Sequence, residues 1–150
     1  MALLPSQSFN ILLIEDEIAD AGLIKAALKR GRFLCQIHHV RDGVEALNFL
    51  RKNGSNYSMS PNPDLIFLDL NMPRMDGREF LKEMRSDQKL CTIPVVVLTT
   101  SDTHKDVISA YSLGANSFVT KPMGIDQLMA MLHGIEEYWF SIVRLPRPNS

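Results

Sequence analysis

Residues 65–76 read LIFLDLNMPRMD, and the rest of the chain is organised around them. Four apolar residues without alternation, Leu65, Ile66, Phe67 and Leu68, lead to one carboxylate, Asp69, and the chain then turns through Asn71, Met72 and Pro73. An unbroken apolar run of this kind is how a strand covered by helices on both faces reads. Taken alone, an Asp directly after a strand is most often a turn former or a helix cap. A second strand-like run, residues 11–14, also ends in acids, Glu15 and Asp16. In an open parallel sheet, ligands bind where the carboxyl ends of the strands meet. Three acids gathered on that rim make a reaction site.

Length and charge narrow the classes of function. A chain of 150 residues suits one domain with its own core. A net charge of -1 with an isoelectric point near 6.4 offers no global attraction for a polyanion, so nucleic acid is not an expected partner. No stretch approaches the ~20 apolar residues of a membrane span, and the first residues, MALLPSQS, lack the basic start of a targeting segment. A cytoplasmic protein is expected. Cys35 and Cys91 have apolar neighbours and fit neither a zinc pattern nor a redox pair, so both read as small core residues in a reducing compartment. His38 and His39 are adjacent in a strand and point to opposite faces, so they cannot chelate one ion together.

In chain order, residues 1–8 form a lead-in, residues 9–14 a first strand, and residues 17–30 a helix with Leu23, Ile24, Ala27 and Leu28 inward, stopped by Gly31. Residues 33–40 read as a second strand. Asp42 to Glu45 has the spacing of a capping box opening a helix through Val44, Leu47 and Leu50. Residues 55–63, rich in Ser, Asn and Pro, read as an irregular and mobile loop before the central strand. Asp76 to Glu79 repeats the capping spacing ahead of Phe80, Leu81 and Met84. Residues 95–98 are a fourth strand ending in Thr99, followed by a helix from about Thr103 with Val107, Ile108 and Tyr111 inward. Residues 116–120 are a short fifth strand before Lys121 and Pro122. The last helix carries Ile125, Leu128, Leu132, Ile135, Trp139 and Ile142 every three or four positions. Five strands alternating with five helices predict an α/β fold, a doubly wound five-stranded parallel sheet with helices on both faces. The expected organisation is one domain over residues 9–143 with an extended last helix and a tail at 144–150, which leaves no room for an output domain. A dinucleotide-binding fold would need a glycine-rich turn after the first strand. Here that turn is Glu15-Asp16-Glu17, which repels phosphate unless a cation intervenes.

Crowding Glu15, Asp16 and Asp69 costs energy unless a proton or a divalent cation relieves it. Oxygen ligands point to Mg²⁺, or Mn²⁺, held by one or two carboxylates, with a main-chain carbonyl near Asn71 as a further ligand and phosphate oxygen completing the shell. Thr99 and Lys121 follow the fourth and fifth strands and suit a phosphoryl group, one by donating a hydrogen bond and the other by offsetting charge. Singly, a Thr there is usually a cap and a Lys before Pro a solvated loop residue. Jointly, every strand feeding the rim ends in a group suited to metal-assisted phosphoryl chemistry.

With these residues the chain resembles the receiver domain of two-component response regulators over residues 9–139. The resemblance implies that Asp69 is the phosphoacceptor for a sensor histidine kinase. It further implies that Asp16 and the Asn71 carbonyl bind Mg²⁺ with Asp69, that Glu15 acts through the water shell of the metal, and that Lys121 pairs with the acceptor. Thr99 and Phe118 would form the switch pair. Such a protein is a signalling switch that assists its own phosphorylation and dephosphorylation, not an enzyme acting on a separate substrate. Residues 55–63, the run IPVVVLTTS and the ending GIEEYWFS are similar to the small response regulators that partner cyanobacterial phytochromes. This implies a phytochrome-like kinase and light signalling. Two other functions compete. A phosphohydrolase of the haloacid-dehalogenase type places a second Asp two residues after its nucleophile, where this chain has Asn71; an unphosphorylated scaffold would not need the intact acid, Thr and Lys set. Tyr138, Trp139, Phe140, Ile142 and Val143 make an apolar cluster too wide for one helix face. Partial exposure of that cluster, and a homodimer through helix 4, strand 5 and helix 5 anchored by Tyr138, Trp139 and Phe140, are expected.

Overall fold

Five parallel strands form one sheet in the order β2-β1-β3-β4-β5 in the computed structural model, which describes residues 8–147. The strands are β1 (Phe9–Ile14), β2 (Cys35–Val40), β3 (Leu65–Leu68), β4 (Val95–Thr99) and β5 (Ser117–Thr120). Between and after them run α1 (Ile18–Lys29), α2 (Gly43–Arg51), α3 (Gly77–Ser86), α4 (His104–Ser112) and α5 (Ile125–Glu137). Strand order reverses between β1 and β3. In-register pairing of Ile14 with Leu68 therefore puts the carboxyl ends of these two strands side by side, the place where a doubly wound sheet builds its site.

Alternate residues of the strands feed two apolar layers. Leu12, Ile14, Ile66, Leu68, Val95 and Val97 face α2, α3 and α4. Ile11, Leu13, Leu65, Phe67, Val96 and Leu98 face α1 and α5. All four residues of β3 are fully buried, as an unbroken apolar run requires. Side chains start three of the helices: Asp42 accepts from the Glu45 N–H, Asp76 from the Arg78 and Glu79 N–H groups, and Thr103 from the Asp106 N–H. The returning half of the first capping box is diverted, because Glu45 accepts the Tyr57 hydroxyl at 2.9 Å. Tyr57 also meets Phe49 edge to face, and Ser60 donates to the Phe49 carbonyl at 2.7 Å. The expected mobile loop is thus pinned to α2.

Several side chains expected inward are not. Leu23 on α1, Ile108 and Tyr111 on α4, and Ile125 at the start of α5 are exposed; Ile142 is exposed too, in the ending for which partial exposure was expected. Of α4 only Ala110 is buried. Tyr111 instead reaches over the sheet edge and accepts the Phe118 N–H at 3.1 Å. Cys35 is buried as expected, but Cys91 is exposed. The last helix changes pitch after Glu137 into a π-helical turn, Tyr138–Ile142. Within it Phe140 stacks on Phe9 at 4.0 Å and meets Phe33 edge on at 5.7 Å, and Trp139 packs on the same layer, while Tyr138 stays half exposed. The apolar ending folds back in part on its own domain. Residues 1–7 of the expected lead-in and residues 148–150 of the tail lie outside the described residues.

Glu136 is the polar exception in this layer. It is 1% exposed, accepts the Cys35 thiol at 3.2 Å through one oxygen, and has no partner for the other among the described residues. Burial raises its pKa, opposed by the Cys35 hydrogen bond and the nearby His133. The folded protein therefore holds this proton more tightly than the unfolded chain. The stability it provides is complete below the unfolded value of about 4.5 and is lost as pH rises through the higher folded value. Glu136→Met, which keeps volume and removes the charge, is expected to raise stability at pH 7 by about 1–3 kcal/mol. It should also flatten the pH dependence. Urea titrations of both proteins from pH 5 to about 8 check this; a wild-type slope retained by the variant contradicts it.

Candidate functional site

Backbone pairing carries the site residues to one rim. The Asp69 N–H donates to the Ile14 carbonyl at 3.1 Å and the Glu15 N–H to that of Val40 at 3.0 Å, so both acids leave their strands with the ladder intact. Across the sheet, the Lys121 N–H donates to the Thr99 carbonyl at 2.8 Å, which fixes the end of β5 to that of β4. Glycine at position 77 is demanded by a close approach: a Cβ there would lie 2.5 Å from the Asp69 carbonyl oxygen and 2.8 Å from the Leu70 Cα. The start of α3 is thereby packed directly beneath the acid.

Carboxylate oxygens of Glu15, Asp16 and Asp69 lie within 4.8 Å of one another, a donor set able to hold a hard cation. Lys121 reaches into the same cluster. Its Nζ is hydrogen-bonded to Glu15, lies 3.1 Å from Asp20 and stands 3.9 Å from Asp69. Burial pushes Glu15 up to about 7, against the Lys121 hydrogen bond, and the charge of Asp69 pushes in the same direction as burial. For Lys121 burial works to lower the pKa, but the hydrogen bond with Glu15 and the charges of Glu15 and Asp69 outweigh it and leave the ammonium favoured. The rim carries more negative charge than one lysine neutralises, an excess that a proton or a divalent cation would relieve.

The other predicted residues take distinct places. The Asn71 N–H points to Asp69 Oδ1 at 3.5 Å, too long for a firm hydrogen bond. Thr99 is fully buried at the end of β4, and its hydroxyl oxygen accepts the Ser101 N–H at 3.3 Å. It is not the cap of α4, a role filled by Thr103. Phe118 pairs in register with Val97, two positions before the Thr99–Thr120 pair, and lies partly buried against the layer facing α4. Tyr138 and Trp139 are not at this rim. They line a groove with Asn116 and Ser117, where β5 begins. A groove among Leu50, Pro63, Leu90 and Leu145 is likewise away from the acids, whereas a smaller one is lined by Asp20, Thr100 and Lys121 beside them.

Asp20 is the residue that sequence reasoning missed. It sits in the first turn of α1, where an acid is expected merely to complement the helix dipole. Its place in the first turn of the helix that follows directly on the Glu15-Asp16-Glu17 turn is the signal that could have drawn attention to it. Among the described residues no helix is long and apolar enough to cross a membrane.

Comparison with known proteins was consistent with this geometry. The family described as response regulator receiver domain matches residues 11–133. The response regulator Rcp1 of Synechocystis sp. is 45% identical over 136 residues, covering 91% of this chain and 92% of Rcp1. The crystal structure of the phosphorylated cyanobacterial phytochrome response regulator RcpA superposes with a TM-score of 0.89 at 44% identity, over 94% of this chain and 100% of RcpA. The Mn²⁺-bound form of Rcp1 superposes with a TM-score of 0.85 at 44% identity, over 93% of this chain and 99% of Rcp1.

Proposed function

The chain belongs to the response regulator receiver family, and from that premise we propose that it is a phosphorylation switch whose acceptor is Asp69. One observation carries the reading: the Asp69 carboxylate stands at the carboxyl end of β3 among Glu15, Asp16 and Lys121, at the strand-order reversal. An Asp69 oxygen attacks the phosphorus of a kinase phosphohistidine. The phosphorus–nitrogen bond breaks, the imidazole leaves with its electron pair, and an acyl phosphate remains on Asp69. Asp16, Asp69 and the Asn71 carbonyl are the residues that would hold Mg²⁺, with Glu15 acting through its water shell; Mn²⁺ suits the same oxygens. The ion, when bound, supplies charge neutralisation to the phosphoryl oxygens. Lys121 would pair with those oxygens, and the Thr99 hydroxyl would donate to one of them.

The donor is a sensor histidine kinase of phytochrome type, a reading supported by the likeness to phytochrome response regulators over nearly the whole chain. Light signalling in the cytoplasm follows. Asn71 stands where a haloacid-dehalogenase-type hydrolase needs its second acid, so turnover of free phosphate esters is not expected. Phosphotransfer from candidate kinases, with a phytochrome-type kinase first, tests the assignment; uptake only from unrelated kinases would overturn the partner.

Thr99 and Phe118 relay the phosphoryl state to a face made of α4, β5 and α5. On this face Ile108, Tyr111 and Tyr138 are exposed, and it is the face assigned to a homodimer. Tyr138 and Trp139 are its anchors, while Phe140, stacked on Phe9, supports them from behind. Thr99→Ala is expected to accept the phosphoryl group on Asp69 and yet fail to alter association. Labelling of Thr99→Ala from acetyl phosphate checks the first point, and sedimentation of wild type, Thr99→Ala and Trp139→Ala, with and without an aspartyl-phosphate mimic, checks the second. A wild type that stays monomeric at high micromolar concentration both with and without the mimic removes the dimer. A Thr99→Ala protein that associates like wild type removes the relay.

A further inference from the structure

We propose that Asp20 is a positioning residue for phosphoryl transfer, which holds the Lys121 ammonium in the resting site and sets how readily that lysine passes to a phosphoryl group on Asp69. The inference rests on the reading of Asp69 as phosphoacceptor. Three carboxylates share the lysine, and the acceptor is the most distant of them: Glu15 is hydrogen-bonded, Asp20 lies at 3.1 Å and Asp69 at 3.9 Å. An ammonium has three protons to donate. Glu15 and Asp20 engage it at hydrogen-bond distance, while Asp69 acts on it only as a charge.

The two holding acids differ in what their release costs. Glu15 is buried and depends on Lys121 and the Glu17 N–H for its hydrogen bonds. Taking the lysine from it strands a buried oxygen. The Asp20 side chain is 42% exposed, so water replaces the lysine when the contact opens. Asp20 also stands in the first turn of α1, where the helix dipole favours its charge and a rigid backbone fixes its place. It is therefore the exchangeable partner. As negative oxygens arrive on Asp69, Lys121 keeps Glu15 and gives up Asp20. The resting contact opposes the phosphorylated state, and the released Asp20 carboxylate offers the lysine a way back when phosphate leaves.

An ion pair that water reaches is modest, so the effect is a tuning of the switch and not its presence. Removing the Asp20 charge is expected to favour the phosphorylated form by about two- to fivefold. The probe is beryllium fluoride, a phosphoryl mimic, titrated at saturating Mg²⁺ and followed by ¹⁹F NMR on the full chain. Wild type, Asp20→Asn and Asp20→Glu are compared with Lys121 present and in a Lys121→Met background. Expected are tighter binding by Asp20→Asn, wild-type affinity for Asp20→Glu, and no effect of Asp20→Asn once Lys121 is gone. That last readout separates action through Lys121 from a general loss of negative charge. Equal affinity of Asp20→Asn and wild type overturns the inference, as does a gain that survives Lys121→Met. A wild type that binds no beryllium fluoride at all overturns the phosphoacceptor reading beneath it.

Discussion

Asp69→Asn is expected to abolish stable uptake of a phosphoryl group from acetyl phosphate or a kinase while leaving the chain folded. The two neighbouring acids cannot replace it. Glu15 is buried, and its two oxygens are engaged by Lys121 and the Glu17 N–H, while burial pushes its pKa up and makes it a poorer nucleophile. Asp16 follows Glu15 and would be held to a cation. An amide has the size and hydrogen-bonding shape of the acid but forms no stable acyl phosphate. Because the substitution removes one of three crowded charges, thermal stability should equal or exceed that of wild type. Autoradiography after a labelled donor, with melting curves of both proteins, checks this. Full retention of label by the variant contradicts the assignment.

Chelation of divalent metal is expected to reduce uptake by about three decades. A phosphodonor brings negative charge to a rim whose three acids lie within 4.8 Å of one another, only two of them beside the one lysine. Two like charges at about 4 Å repel by about 4 kcal/mol in a partly solvated site, and about 1.4 kcal/mol is a tenfold change in rate. Mg²⁺ should also raise the melting temperature of the resting protein, because an ion bound only by the folded state stabilises it by mass action. Asp16→Asn should weaken both effects. Labelling rates and melting curves in EDTA and in graded Mg²⁺ measure them; uptake unchanged by EDTA contradicts the proposed role of the acids.

The sheet was legible because β3 and β4 are unbroken apolar runs, and an unbroken run admits burial on both faces only. The rim was legible because the acids and Lys121 fall directly after strands and Thr99 ends one, and a parallel sheet brings those ends together. Helix faces were less so. Periodicity in α4 identifies Ile108 and Tyr111 as one stripe but does not say whether another element covers it, and here only Ala110 is covered. Phe140 shows the converse, since the ring it stacks on, Phe9, lies at the other end of the chain and leaves no local trace. The same holds for Asp20 and Lys121, and for Glu136 and Cys35, which are paired through space across about a hundred residues. Local spacing suggests a surface acid in both cases; topology makes one a partner of the site and buries the other.

The central claim, that Asp69 carries the phosphoryl group, is tested most directly by trapping it. The full chain is incubated with acetyl phosphate and Mg²⁺, reduced with borohydride, which converts an acyl phosphate to the alcohol, and sequenced by mass spectrometry. The account predicts a single reduced residue, Asp69, in the segment that begins with Leu65 and ends with Met72. Reduction at Glu15 or Asp16, phosphate found on a histidine, or a chain that remains unmodified while a known phosphoacceptor is labelled under the same conditions would contradict it.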